Sequence, residues 1–404
     1  MYKKITSLAL TLILLFALTP VIPALAANSW GMEDIVFTDT RGNKVTIPGG
    51  AASCAAKVVS FTPGSPWTSD PLDMDTNEIL GAPDRGDASN GKGLSLGAGG
   101  VVILEFNVYI YDGPGNDIYV FEVGNDVEAT KVEVSSDLKT WIYVGDAAGS
   151  ISGVDMVGKV PADGMYKYVR ITDLYTAPTG AWPGADIDAV AGINVSPYLL
   201  SGWAKPELIK ASDDGLIPDT LKGADLTKPI TRAEFAGVCV KLYENLANTK
   251  VTAASDNPFT DTNNADVLKA YNADLMKGVG DATFKPNDLL NREEAATALT
   301  RVLKRAYIPG WTYSADSQYT LNFPMPVKFP DDAKISAWAY SSVYFMAANG
   351  IIKGMPNGDF APRNTTAAET AAGYANNTRE QALVIAVRIV DNLKDQAPDY
   401  TKAP

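Results

Sequence analysis

The sequence predicts two folded regions: an N-terminal all-β jelly-roll sandwich and a C-terminal all-α bundle with pseudo-threefold symmetry. Residues 27–198 contain many short alternating segments separated by Gly, Pro, Asn and Asp, which is typical of an antiparallel sandwich. Residues 199–393 contain longer helical patterns instead. Within them a similar unit occurs three times. We place the units at 199–250, 251–312 and 313–393, followed by a tail at 394–404.

Residues 1–26 have the pattern of a secretory signal peptide. Lys3 and Lys4 supply the positive charge, the apolar run from Leu8 to Leu18 is too short to span a bilayer comfortably, and Ala24-Leu25-Ala26 offers the small residues that a signal peptidase cuts. The alternative is a leader that stays uncleaved as an anchor. We expect cleavage and export, with no membrane span in the mature chain.

The composition excludes several function classes. The 404 residues include no histidine, which removes Ser-His-Asp and Cys-His catalysis and His-ligated zinc. The 34 basic and 47 acidic residues give a net charge of −13, which argues against nucleic acid as a partner. No carboxylate lies in a recognised catalytic motif, so we predict that the chain is not an enzyme. Cys54 and Cys239 fall in different regions, so buried free thiols are favoured over a disulfide.

One helix in each predicted unit begins with the same pattern. An N-cap residue is followed by arginine and then, at the third helical position, by Glu or Gln, which is the arrangement of a capping box. The three segments are Thr231-Arg232-Ala233-Glu234, Asn291-Arg292-Glu293-Glu294 and Thr378-Arg379-Glu380-Gln381. Because a cation at a helix N-terminus opposes the helix dipole, its threefold occurrence predicts a role beyond helix stability.

The chemistry of such a helix start suits a carboxylate, and the family resemblance given below implies a ligand that carries one. A helix N-terminus presents free backbone N–H groups, and an arginine beside them adds a planar pair of donors that matches a carboxylate. The alternative is that each arginine bridges to an acid of a neighbouring unit. Trp203 and Trp338 lie near the starts of two other helices; packing in the core is favoured over stacking on a sugar face.

These segments resemble the S-layer homology (SLH) repeat, the cell-wall anchoring repeat of Gram-positive and related bacteria. The residues that carry the resemblance are Thr231–Glu234, Gly350–Pro362, and Phe329-Pro330-Asp331-Asp332 with Trp338-Ala339. The resemblance implies non-covalent attachment to a secondary cell-wall polysaccharide that carries pyruvate ketals. The predicted binding residues are Arg232, Arg292, Arg379, Thr231, Thr378, Trp203 and Trp338. Units two and three depart from Thr-Arg-Ala-Glu, so one or two grooves are expected to be weak or empty.

The N-terminal region is similar to galactose-binding-like (discoidin-like) domains. The residues that carry this similarity are Ile79–Asp84, Asp112–Glu122 and Gly184–Val190. It implies a sandwich that binds an extracellular carbohydrate or a surface protein. Calcium takes six to eight oxygen ligands, which carboxylates in turns can supply; the alternative is that these acids are solvated turn formers. The candidate calcium ligands are Asp112, Asp117, Glu122, Asp186 and Asp188.

The sequence therefore predicts an exported protein in the cell wall or S-layer of a Gram-positive-type bacterium. Its helical region would hold the wall polysaccharide, and its sandwich would face outward. Two alternatives stay open at this point. One is a structural component of the S-layer lattice, and the other is a wall-anchored enzyme that degrades glycans.

Overall fold

The computed structural model describes residues 30, 32–39, 42–84, 93–123, 127–175 and 183–403. The predicted signal peptide, residues 1–26, lies outside this range. Among the described residues, none of the helices is long and apolar enough to cross a bilayer.

The N-terminal region is a sandwich of antiparallel sheets, as predicted. A hairpin of β1 (Ile35–Thr38) and β2 (Lys44–Ile47) precedes it. Within the described residues, the larger sheet contains β3 (Ala55–Thr62), β5 (Val101–Ile110), β7 (Thr130–Ser135), β8 (Ile142–Ala147), β10 (Tyr166–Asp173) and β12 (Val195–Ser196). The smaller sheet contains β4 (Leu94–Ser95), β6 (Ile118–Glu122), β9 (Ile151–Val154) and β11 (Asp186–Gly192).

Strand β5 lies inside the larger sheet, where it pairs with β3 and β10, while β12 pairs with its last two residues. Its side chains alternate between the core and the outer face with the period of two that a strand imposes. Leu104 and Phe106 are fully buried, whereas Asn107 is exposed. This alternation is the sequence signal that predicted the sandwich.

The C-terminal region is mainly helical. Its helices are α1 (Lys205–Asp213), α2 (Arg232–Ala247), α3 (Ala265–Asn272), α4 (Arg292–Tyr307), α5 (Tyr340–Ala348), α6 (Ala367–Ala372) and α7 (Arg379–Leu393). The prediction of an all-α region is wrong at one place, because β13 (Tyr319–Leu321) pairs with β14 (Tyr400–Lys402). The predicted tail supplies the second strand, and the buried side chains of Tyr319 and Leu321 hold the pair on the helical core.

All three predicted capping boxes form at the starts of α2, α4 and α7. The residues just before the caps join in a closed ring. Ile230 N donates to Asn377 O (2.9 Å), Asn377 N to Leu290 O (2.9 Å), and Leu290 N to Ile230 O (3.2 Å). This ring relates the three helices around one axis, so each unit contacts the other two.

The two regions share an apolar contact. Trp30, Tyr111 and Tyr198 of the sandwich side join the core of the helices, and the Lys205 ammonium lies 4.1 Å from the centre of the Tyr111 ring. Cys54 is buried in the sandwich and Cys239 in α2, and both thiols are free, as the favoured prediction had it.

Candidate functional site

The helix starts offer no free N–H groups, so the prediction that they bind an anion through their backbone is wrong. In α2, Arg232 N donates to Asp288 O (2.9 Å), Ala233 N to Pro286 O (3.0 Å) and Glu234 N to the Thr231 hydroxyl (3.3 Å). The starts of α4 and α7 are satisfied in the same way. The neighbouring unit's loop supplies the acceptors for the first two N–H groups, and the helix's own N-cap side chain accepts the third. The local sequence of one helix shows the cap but not the contacts with the neighbouring unit.

The three arginines are also held by the neighbouring unit. Arg232 Nε donates to Phe284 O (2.9 Å), Arg292 Nε to Phe360 O (2.8 Å), and Arg379 Nη1 to Asp225 O (2.9 Å). The guanidinium groups of Arg232 and Arg292 lie 4.9 and 5.3 Å from the centres of the Phe284 and Phe360 rings. Each arginine therefore links one unit to the next. The three arginines differ in their exposure and in their other partners.

Arg379 bridges to an acid of another unit, which was the alternative for all three. Its Nη2 lies 2.6 Å from Glu234 Oε1 and its Nε 3.1 Å from Oε2. Both side chains are mostly buried. This bidentate ion pair occupies the N–H donors of Arg379 that a ligand carboxylate would need.

Arg292 is buried, with 8% of its surface exposed, and burial lowers the pKa of its guanidinium. Its contacts are with the Phe360 ring and carbonyl. Arg292 therefore serves the contact between units two and three, and little of it faces solvent.

Arg232 differs from the other two because it lines a small open cavity of about 100 Å³, here called the Arg232 groove. Among the described residues no carboxylate forms an ion pair with it. The groove is lined by Arg232, Lys277, Glu294, Arg301, Tyr313 and Trp338, with smaller residues between them. Lys277 is paired with Asp274 (2.6 Å) and Arg301 with Asp316 (2.7 Å), so Arg232 is the groove cation that has no ion-pair partner among the described residues. An unpaired guanidinium favours an anionic ligand.

Trp203 and Trp338 are 53% and 56% exposed, so the favoured prediction of core packing is wrong for both. Trp338 presents its indole to the Arg232 groove. Thr231 and Thr378 accept the N–H of the third helical residue, and each is therefore a helix cap. Sequence reasoning missed Lys277, Arg301 and Tyr313, because the folding of three distant segments brings them together.

The five predicted calcium ligands do not form one site. The carboxylates of Asp112 and Asp117 meet that of Asp155, with ligand oxygens within 4.8 Å of one another. Asp117 is fully buried and accepts from Gly113 N (2.9 Å), Asn194 Nδ2 (2.7 Å) and Met156 N (2.8 Å). Its oxygens already have three donors, so this cluster ties three loops together.

Glu122 and Asp186 lie at a second place in the sandwich. Asp186 is the direct cross-strand partner of Ser95, which is fully buried. The side chains of Ser95 and Asp186 lie beside each other, and the Ser95 hydroxyl favours the charged form of Asp186. Burial raises the pKa of Asp186 to about 7 and that of Glu122 to about 9. Two poorly solvated acids on paired strands suit a cation that takes oxygen ligands.

Asp188, the fifth predicted ligand, lies two residues after Asp186 in β11, at the register shift between Ile187 and Ala189. It is buried, and its charge adds to burial in raising the pKa of the Cys54 thiol to about 12. Of the five residues, Glu122 and Asp186 combine burial with strongly raised pKa values, whereas Asp112 and Asp117 lie in the acidic cluster whose oxygens are close enough to share a cation.

The S-layer homology domain model matches residues 258–296 and 328–366, within the second and third predicted units, which confirms the resemblance there. The chain is 35% identical over 152 residues to exoglucanase XynX of Acetivibrio thermocellus and over 146 residues to amylopullulanase of Thermoanaerobacterium thermosulfurigenes. Each match covers 36% of this chain, but only 12% and 7% of the relatives. A solved CBM32-3 module from a family 31 glycoside hydrolase of Clostridium perfringens aligns at 13% identity and a TM-score of 0.22, over 35% of this chain and 92% of that one.

Proposed function

We propose that this chain is held on the bacterial cell wall by an acidic, pyruvylated secondary polysaccharide that binds in the Arg232 groove. The S-layer homology domains indicate association with the cell surface. The observation that carries the proposal is the groove itself, where Arg232, which has no ion-pair partner among the described residues, and the half-exposed Trp338 line the same cavity. A pyruvate ketal supplies the carboxylate for Arg232, and a sugar ring supplies the flat apolar face for Trp338.

We further propose that residues 199–250 are a third, divergent repeat. Support comes from the capping box at Thr231 and from the hydrogen-bond ring through Ile230, Leu290 and Asn377. A repeat of this size cannot bury its apolar face alone, and three units around one axis can.

In this proposal the sandwich is displayed by the helical region, after export directed by residues 1–26. It binds an extracellular carbohydrate or a surface protein and carries out no catalysis. The aligned segments of the enzyme relatives are a small share of their lengths, which supports a non-catalytic role for the shared segment. The protein's place is then the cell wall or S-layer of a Gram-positive-type bacterium.

Sedimentation of the full chain with purified cell walls tests the anchoring proposal. We expect binding to intact walls, none to walls from which the secondary polysaccharide has been extracted, and competition by a soluble pyruvylated saccharide. The same saccharide without its pyruvate should compete at least about tenfold less well, because an ionic hydrogen-bonded contact contributes about 1.5–3 kcal/mol. Equal binding to extracted walls would contradict the proposal.

Calcium is proposed at Asp186, Glu122 and Ser95 in the sandwich. Calcium would supply the positive charge that favours the ionised forms of these two poorly solvated acids, whose pKa values burial raises. At a calcium concentration 100 times its Kd, binding stabilises the folded state by about 2.7 kcal/mol. We therefore expect the Tm of the sandwich transition in the full chain to rise by several degrees between chelator and calcium, measured by differential scanning calorimetry.

Asp186→Asn and Asp155→Asn form a matched pair of variants for this experiment. Asp186→Asn should abolish the calcium shift, because it removes a charged ligand. Asp155→Asn lies in the other acidic cluster and should keep the shift. A calcium shift that survives Asp186→Asn and is lost in Asp155→Asn would move the site to the Asp112 cluster.

The raised pKa values predict a pH dependence in the absence of calcium. An acid whose folded pKa is above its unfolded value stabilises the fold below the unfolded pKa and loses that contribution as pH rises through the folded pKa. The pKa of Asp186 is raised from 3.8 to about 7, and that of Glu122 from 4.5 to about 9, so the stability is lost between these two values of each acid. In chelator, the Tm of the sandwich should fall between pH 5 and pH 9, and saturating calcium should flatten that fall. A Tm that rises over this interval would contradict the assignment.

A further inference from the structure

Two turns at the edge of the helical region are built alike and are held by the same contact. They are Ser201-Gly202-Trp203 and Ser336-Ala337-Trp338. Glu293 accepts from Ser336 N and Ser336 Oγ, both at 2.8 Å. Glu380 accepts from Ser201 N at 3.0 Å and Ser201 Oγ at 2.9 Å. Each carboxylate thus fixes the backbone two residues before an exposed tryptophan of another unit.

Both carboxylates are buried. Glu293 is 1% exposed and Glu380 is 4% exposed, although a buried carboxylate is costly unless it is hydrogen-bonded. Each is the second residue of its helix, where the dipole favours a negative charge. Arg363 reinforces the contact at Glu293, since its Nη1 lies 3.1 Å from Glu293 Oε1 and also bonds Ser336 Oγ.

The remaining unit lacks both partners. Ala233 stands where α4 and α7 have glutamate. Trp203 and Trp338 each lie two residues before the first residue of a helix, and Asn263 holds that place before α3. The three helix-start arginines include Arg379, which is the counterpart of Arg232 for this unit. Arg379 is paired with Glu234. Glutamate and tryptophan therefore occur together in two places and are both missing from the third.

We infer that Glu293 is a positioning residue for polysaccharide binding, which sets the Trp338 indole in the Arg232 groove, and that Glu380 does the same for Trp203. The region then has two tryptophan-bearing binding places rather than three. This inference rests on the proposed function. A turn fixed before the ligand arrives loses less conformational entropy on binding, so the glutamate raises affinity without touching the sugar.

The first test follows Trp338 itself. In the full chain labelled with 5-fluorotryptophan, the Trp338 fluorine resonance is assigned by its loss in Trp338→Phe. Glu293→Ala should shift and broaden this resonance. Glu293→Gln keeps an acceptor for the Ser336 N–H and should leave the resonance near its wild-type position. Glu244→Ala removes a carboxylate at the far end of α2 and serves as the control without effect.

The second test is a double-mutant cycle of wall binding. Glu293→Ala and Trp338→Ala should each weaken binding about tenfold, and the double variant should bind no more weakly than Trp338→Ala. Glu293→Gln should retain most of the affinity. A double variant that is weaker than Trp338→Ala by a further tenfold would overturn the inference, since Glu293 would then act by another route.

The two tests separate this inference from the proposed function. A Trp338 resonance that is unchanged in Glu293→Ala overturns the positioning role whatever the binding shows. A resonance that moves, together with wild-type wall binding by Trp338→Ala, supports the positioning of the indole and contradicts the proposed role of the groove. If Glu293→Ala fails to fold, Ser336→Ala is used instead. It removes the hydroxyl contact with Glu293 and should shift the Trp338 fluorine resonance in the same direction by a smaller amount.

Discussion

Arg232→Ala is expected to weaken binding of the full chain to purified cell walls by about 30- to 100-fold. The physical reason is the loss of an ionic hydrogen-bonded contact with the ligand carboxylate, worth about 2–3 kcal/mol at most sites of this kind. Arg232 lines the groove, whereas its neighbours Lys277 and Arg301 supply charge without its position at the helix start. Sedimentation isotherms on intact walls measure the change. Arg232→Lys should fall between wild type and alanine, because ammonium keeps the charge and loses the planar pair of donors.

Arg379→Ala is the matched control for that experiment. Its guanidinium already pairs with Glu234, so its removal should leave wall binding within about twofold of wild type. It should lower the Tm instead, because Glu234 loses its ionic partner in a mostly buried place. Equal loss of binding in Arg232→Ala and Arg379→Ala would show that the site is not confined to the Arg232 groove.

Asn377→Leu is expected to stabilise the helical region by about 1–3 kcal/mol, the typical cost of a buried polar group without a partner. Asn377 is completely buried in the ring around the axis, and both atoms of its amide have no hydrogen-bond partner among the described residues. Its counterparts in the ring are Ile230 and Leu290, so an apolar side chain fits the position. For a domain of this size the Tm should rise by about 2–4 °C per kcal/mol.

Leu290→Asn is the reverse change and should lower the Tm of the same transition, because it adds a second unpaired amide at the axis. The backbone bonds of the ring are preserved in both variants. Differential scanning calorimetry on the full chain compares them. A lower Tm in Asn377→Leu would contradict this prediction, because it would mean that the Asn377 amide stabilises the fold.

Much of the fold could be predicted because its signals are local. A capping box spans four residues, and all three form as the sequence indicated. The alternation of β5 predicted a strand with one buried face, and that face is buried. The pair β13 and β14 escaped prediction because its strands are three residues each and lie about 80 residues apart.

The candidate site could be predicted in kind but not in detail. The three arginines were visible as a repeated pattern, yet the first lines a groove, the second is buried and the third is ion-paired. Lys277 and Trp338 join Arg232 from positions 45 and 106 residues downstream, and no pattern in the chain couples these positions. The five acids looked like one cluster along the sequence, but Asp112 and Asp117 meet Asp155 in loops, whereas Glu122 and Asp186 lie on the paired strands β6 and β11. Asp186 and Asp188 would share a face of a regular strand, and the register shift between Ile187 and Ala189 breaks that alternation.

The sequence by itself determined where each helix of the motif begins, that the pattern occurs three times, and which residue types stand at each start. Only the tertiary structure decided that the first N–H groups of those helices are satisfied by the neighbouring unit and that Arg232 alone among the three arginines lines the groove. The reason is physical. Capping depends on contacts within one turn of helix, whereas the exposure of an arginine depends on which carbonyl or carboxylate another unit places within 3 Å of it.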